Sequence, residues 1–438
     1  MKTQGDGSEE KPLIPTAGEI FPDGVALELI RDQSDPKHLR VLAWQGKILE
    51  EGLRLSHHGR LYEALHVEPS VASAMCFPSS VAPPETTRTL FDALQGLLTS
   101  SLAQSEPTIT LLTAGAFATW FPEVLPMAPL VYVVAPTESL KIALLQILRL
   151  VCRRTLPLVG INRGTFRSLP MELQPTLLLD EPDLCPVMLK LLQSSCYRGA
   201  FIPSGRGLVN PFGPKIIFSR AFPRSLSPTS PVLRIVLIPP AGPIAPLDEE
   251  SEARIATEFQ SRFVGFRLRS FKHVRVPEFD VSKLTPPLQE LARSLGAALV
   301  GDKELQGKIL ASLSPEDEKI RAERSSTVEV LVIETLLFYC HKDGISQIRS
   351  FELARTVSAL YAGRGSDAMI SAESAGWTMK RLGLPTSTID SAGNGLKLAD
   401  STRRAVHELA LAYEVFDRPG AFRAGCQHCD EVKKILGR

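Results

Sequence analysis

The sequence has no apolar run long enough to cross a membrane, for which a helix needs about 20 uninterrupted residues. The nearest approach, Ile109 to Val134, is broken by Pro122, Glu123, Pro126 and Pro129. It reads as a buried helix, a loop and a buried strand. Charge of one sign is also lacking: 49 basic residues stand against 48 acidic ones, for a net charge of +1. No global field therefore draws the chain onto nucleic acid or an anionic membrane, and any such binding must be local. Cysteine is sparse and irregular, seven in 438 residues, which fits reduced thiols better than a disulfide framework. Residues 1–12 are polar, with Glu9 and Glu10 where an export signal would be apolar. The expected compartment is the cytoplasm, without membrane contact. Familiar catalytic signatures are missing too: there is no GxSxG elbow, no HExxH and no GxGxxG after a strand.

What is present is apolar material for several cores, with 44% hydrophobic and 22% charged residues. Residues 19–67 alternate short apolar runs with turn signals at Asp23-Gly24, Gln45-Gly46 and His58-Gly59, which predicts a small antiparallel sheet. A Pro- and Ser-rich stretch then gives way to helical periodicity from Leu90. From Leu130 onward five nearly all-apolar segments, LVYVV, LPLVGI, PTLLLD, KIIF and LRIVLI, alternate with helical stretches. Strands this apolar need cover on both faces, so the expected fold is α/β, a mainly parallel sheet flanked by helices. Beyond Ser325 come three helices, two short strands joined at SAGNG, and a closing helix over Thr402 to Val415, the order of a winged helix. The expected domains are 1–85, β-rich; 86–324, the α/β domain with a helical extension; 325–415, winged-helix-like; and 416–438, a C-terminal tail.

The chemistry is expected at the carboxyl ends of the strands. PTLLLDEPD has the form of a Walker B strand, in which Asp180 would hold Mg²⁺ and Glu181 would orient a water. One βαβ interval upstream, VYVVAPTESLKIALLQIL occupies the place of the phosphate loop GxxxxGK followed by Ser or Thr. Ala135 and Leu140 stand at the glycine positions, Lys141 at the lysine and Ile142 at the hydroxyl. Side chains at the glycine positions disfavour the left-handed backbone of an anion nest, by about 1–2 kcal/mol per residue. Thr137 reads as the N-cap of a helix whose buried stripe is Leu140, Leu144, Ile147, Leu148 and Val151. A helix start still attracts anions, so Ala135, Thr137, Ser139 and Lys141 form the candidate cofactor site, with ATP and Mg²⁺ weakly held and hydrolysis not expected. Lys141 should approach Asp180 and Glu181, on the reasoning that their strands are neighbours.

The run from Leu156 to Asp183, with YRGAFIPSGRG and FGPKIIFS after it, resembles the helicase- and primase-associated P-loop ATPases of bacterial mobile elements. The resemblance covers about Leu111 to Pro240. It implies a polar sensor at Ser219 and an arginine near the start of the last strand, where Pro231 stands instead; Arg234 reads as an exposed strand residue. It further implies DNA, a second copy of the chain or an active NTPase as partner. The winged helix would offer Lys380, Arg381, Lys397 and Arg403 to phosphates. The leading reading is a nucleic-acid-associated or assembly component on a degenerate NTPase. An active ATPase or helicase motor, and a protein-interaction regulator without DNA contact, are the alternatives. Cys426 and Cys429 have the spacing of half a zinc site, but no second pair lies near in sequence, so the expectation is a tail with free thiols and no zinc.

Overall fold

The computed structural model describes residues 12–437 apart from 36–37, 47, 181–183, 206, 224–225, 227–229, 277–279 and 391–392. The chain divides into two compact units, Met1–Asp317 and Glu318–Arg438.

The first unit begins with β1 (Leu13–Thr16), β2 (Ala26–Arg31), β3 (Leu39–Gln45), β4 (Ile48–Gly52), β5 (Arg54–His57) and β6 (Arg60–Ala64). Strands β2, β3 and β4 form an antiparallel sheet, as the turn signals predict. The His58-Gly59 hairpin joins His57 to Arg60 with both central residues at positive φ, the two-residue turn that matches strand twist. The single sheet expected here is replaced by two, because β6 pairs antiparallel with β5 and parallel with β1. That parallel pair spans the whole intervening meander, so no local turn announces it.

Helices α1 (Pro69–Ala74), α2 (Thr87–Leu102) and α3 (Glu106–Ala118) follow. Leu90, Leu94 and Leu98 are fully buried, as the periodicity requires, and Thr86 caps α2 by accepting from the Thr89 amide at 3.1 Å. The α/β part comprises β7 (Leu130–Val134), α4 (Glu138–Val151), β8 (Thr155–Val159), α5 (Arg163–Arg167), β9 (Thr176–Asp180) and α6 (Pro186–Ser194). A small hairpin, β10 (Ile202–Ser204) and β11 (Gly207–Val209), precedes β12 (Lys215–Ser219) and β13 (Leu233–Val236). Five of these strands form one fully parallel sheet in the order β13-β7-β12-β9-β8, within two residues of the five apolar segments.

A buried charge cluster ties β2 to this sheet. Glu28, 1% exposed, accepts from Arg153 at 2.8 Å and from Arg267 at 2.8 Å, and pairs with Arg154. Arg267 also reaches Glu123 at 2.8 Å. Removing Glu28 would leave three buried guanidiniums short of a counter-ion, the costly way to break such a cluster.

Helices α7 (Glu249–Ser270), α8 (Pro286–Ala297) and α9 (Lys303–Ser325) follow, the division between the units falling within α9. The second unit contains α10 (Val328–Cys340), β14 (Gln347–Arg349), α11 (Ser350–Gly363), α12 (Ala372–Arg381), β15 (Thr386–Asp390), β16 (Gly393–Lys397), α13 (Asp400–Ala412) and α14 (Gln427–Leu436). Its core joins Leu331, Leu336, Leu353, Val357, Met379 and Leu396. The predicted helices and hairpin are present, and β14 adds a third strand in the order β14-β16-β15. Only glycine fits at 395, because a Cβ there would strike the Ile348 carbonyl of β14. The last residues are not a loose tail: α14 places Cys429 and Val432 in the core. Among the described residues no helix is long and apolar enough to cross a membrane.

Candidate functional site

The parallel sheet brings the ends of β7, β12 and β9 to one edge, and there the predicted residues meet. Thr137 stands at the N-cap position of α4 in extended backbone, with no capping bond from its side chain. The helix therefore begins at Glu138, and the Lys141 amide already donates to the Thr137 carbonyl at 3.1 Å. The segment that a phosphate loop would leave open is coiled into a first helical turn. No residue of 135–142 has positive φ, so its amides do not form the alternating nest that cradles phosphate. Ala135 and Leu140 are buried; Ser139 and Thr137 are exposed, and Ile142 is half-exposed. The predicted apolar stripe of α4 is buried at every position.

Lys141 is the centre of the site. Its Nζ lies 2.8 Å from Asp180 Oδ1 and 2.9 Å from Glu138 Oε2. Burial alone would push this lysine down, but the hydrogen bonds and charges of Asp180 and Glu138 outweigh it and hold the ammonium above the usual lysine range. The Lys141 hydrogen bond in turn lowers Glu138, whose other oxygen is 3.3 Å from Arg220. Among the described residues two cations face two carboxylates. Glu138 places a negative charge in the first turn of α4, where the helix dipole favours one.

The meeting of Lys141 with Asp180 has a different geometry from the one expected. The β7 and β9 strands are not neighbours; β12 lies between them, and the lysine reaches across its end. Ser219 closes that strand and donates its hydroxyl to the Ala221 carbonyl at 2.7 Å, within its own turn. Glu181 lies outside the described residues. Arg234 is not the exposed strand residue that was expected: its side chain is 9% exposed, lies 3.8 Å from Glu316 and sits over the Phe222 ring.

The four basic residues of the second unit separate into two kinds. Lys380 and Lys397 are exposed, and Arg381 is exposed while paired with Glu329. Arg403 instead donates to the Leu398, Cys340 and Ile345 carbonyls. With its guanidinium engaged inside the fold, Arg403 is corrected from a phosphate contact to a structural clamp. Sequence reasoning missed Trp377, 61% exposed on α12, with Lys380 Nζ 5.4 Å from its ring centre. Ser371 caps that helix through the Ser374 amide at 3.1 Å.

No family model matches the sequence, and no curated protein matches it. Among solved structures, the chain is similar to a full-length MCM homolog from Methanopyrus kandleri at 12% identity and a TM-score of 0.34, covering 69% of this chain and 75% of that one. It is similar to the apo C-terminal region of NrS-1 at 11% identity and a TM-score of 0.33, covering 85% and 96%. A Drosophila ORC structure bound to DNA matches at 11% identity and a TM-score of 0.17, covering 76% and 89%. At these scores the likeness assigns neither activity nor ligand.

Proposed function

We propose that this protein is a nucleic-acid-associated assembly component built on a P-loop-type α/β domain that does not hydrolyse ATP. The observation that carries the reading is the bridge Glu138–Lys141–Asp180, with Lys141 2.9 and 2.8 Å from the two carboxylates. The lysine that would grip a β- or γ-phosphate, and the aspartate that would hold Mg²⁺, satisfy each other, and Glu138 supplies the negative charge a nucleotide would bring. Leu140 and Ile142 remove the curl and the hydroxyl a working loop needs. The domain then serves as a scaffold, with a further copy of the chain or an active NTPase as partner and a mobile-element system, as the motif resemblance implies, as its setting. The second unit is read as a winged helix on the order of its helices and its closing hairpin, and in that reading α12 would present Trp377, Lys380 and Arg381 to DNA with Lys397 on the hairpin.

The test is ATP binding and turnover by the purified full chain with Mg²⁺. Turnover should be indistinguishable from a Lys141→Met, Asp180→Asn double variant. Robust wild-type hydrolysis abolished by Asp180→Asn would establish the motor reading instead.

A further inference from the structure

Three helices of the second unit converge on four ligand-type atoms that the sequence keeps far apart. His341 caps the C-terminus of α10, His407 lies in α13, and Cys426 and Cys429 begin α14. His341 Nε2 is 3.1 Å from His407 Nε2 and 3.2 Å from Cys429 Sγ, and His407 Nε2 is 3.4 Å from Cys426 Sγ. All four ligand atoms lie within 4.8 Å of one another. Zinc bonded at about 2.3 Å to sulfur and about 2.0–2.1 Å to nitrogen in a tetrahedron places its ligands roughly 3.3–3.8 Å apart. These three contacts match that spacing to within a few tenths of an ångström, and the other pairs lie within 4.8 Å.

We infer that His341, His407, Cys426 and Cys429 form a structural zinc site that fastens α14 to α10 and α13. The groups around the four atoms are arranged for it. His407 Nδ1 is 2.7 Å from the Arg403 carbonyl, which places the proton there and leaves Nε2 with a lone pair directed at the cluster. Arg403 is itself held by the carbonyls of Cys340 and Ile345, on either side of the His341 turn. The Arg423 amide points at Cys429 Sγ at 3.5 Å, an N–H to sulfur contact of the kind that steadies a thiolate ligand. Cys429 is fully buried and His407 is 2% exposed. Without a metal the two cysteines keep their protons; Zn²⁺ would displace both, and two thiolates, two neutral imidazoles and the ion make a neutral set suited to burial. An S₂N₂ tetrahedron selects zinc over harder ions, and four protein ligands leave no open position for catalysis. His428, between the two cysteines in sequence, turns away to Asp400 at 3.0 Å and is not a ligand.

The test uses the full chain, purified without chelator from zinc-supplemented cells. Elemental analysis should find about one zinc per chain. Cys426→Ser with Cys429→Ser should lower that content at least tenfold, whereas Cys185→Ser, at an exposed thiol remote from these ligands in sequence, should retain it. Because the double variant could misfold, the wild-type chain carries the decisive arm. Exchange of zinc for Co²⁺ should produce the visible bands of a tetrahedral site together with sulfur-to-cobalt charge transfer. Two thiols should become reactive to a disulfide reagent only after chelation. A wild-type chain that holds less than about a tenth of an equivalent after zinc addition and dialysis, lacks the cobalt spectrum, or shows the same thiol reactivity with and without chelator overturns the assignment.

Discussion

The sheet edge of the first unit and the cysteine-histidine cluster of the second are both places where charged or ligand-type groups converge, and they differ in what balances them. At the sheet edge Lys141 lies between Glu138 and Asp180, and Arg220 is 3.3 Å from Glu138, so that among the described residues each carboxylate has a cationic partner. In the second unit two thiols and two imidazoles meet with no cationic side chain among the four. A charge-paired cluster makes little further demand for a ligand, whereas thiols and imidazoles in contact can give up protons to a metal ion. By that criterion the sheet edge makes the smaller demand for a ligand, and the cysteine-histidine cluster the larger.

The largest expected effect separates the two directly. Binding to the folded state alone stabilises by about 4 kcal/mol when free zinc exceeds its dissociation constant a thousandfold. Chelation should therefore lower the melting temperature of the wild-type chain by roughly 10 °C or more in calorimetry, and leave Cys426→Ser, Cys429→Ser unmoved. Mg²⁺ and ATP should produce no comparable shift through the sheet edge.

Next in size is the internal ion pair. Lys141→Met strips the shared cation from two carboxylates and should cost about 2 kcal/mol in urea unfolding, less than a fully buried pair because Asp180 is 25% exposed. Glu138→Gln, at a side chain 53% exposed, should cost well under about 1 kcal/mol. Equal costs for the two would show that Glu138 and not Asp180 is the principal partner.

The closed edge should also open with acid. The Lys141 hydrogen bond holds Glu138 below the usual value of 4.5, so its contribution to stability is complete above that pH and is lost as pH falls below it. Protonation removes the internal anion, so sulfate affinity at the α4 N-terminus should rise as pH drops below about 4.5. Glu138→Gln should already bind sulfate at neutral pH and lack this rise. A wild-type affinity flat down to pH 3 would show that Glu138 does not occupy the anion position.

The smallest effect concerns DNA. If α12 and the hairpin contact duplex, Lys380→Ala with Lys397→Ala should flatten the plot of log affinity against log salt by roughly 2. Arg403→Ala should leave that slope unchanged while destabilising the fold, since its donors serve internal carbonyls. A slope reduced by Arg403→Ala and untouched by the lysine pair would reverse the assignment.

Much of the first unit was legible because its strands are apolar on both faces. The run at 130–134 has nothing polar to place in water, and the Asp180 that ends another run marks the sheet's edge. The second parallel pairing near the N-terminus, the insertion of β12 between β7 and β9, and the burial of Arg234 were not legible. Each depends on which distant segment lies alongside, and period and turn spacing report only on neighbours in sequence. The convergence of His341 and His407 on Cys426 and Cys429 was not legible for the same reason: the two histidines lie 85 and 19 residues before Cys426.

By itself the sequence determined most of the elements and placed Lys141 at a helix start and Asp180 at a strand end, because side-chain polarity and helix capping act within a few residues. Only the tertiary structure decided that Glu138 completes the Lys141 bridge, that Arg403 faces inward, and that two histidines from separate helices complete the Cys426–Cys429 pair. Those outcomes are set by packing, which brings together atoms whose separation along the chain carries no information about their separation in space.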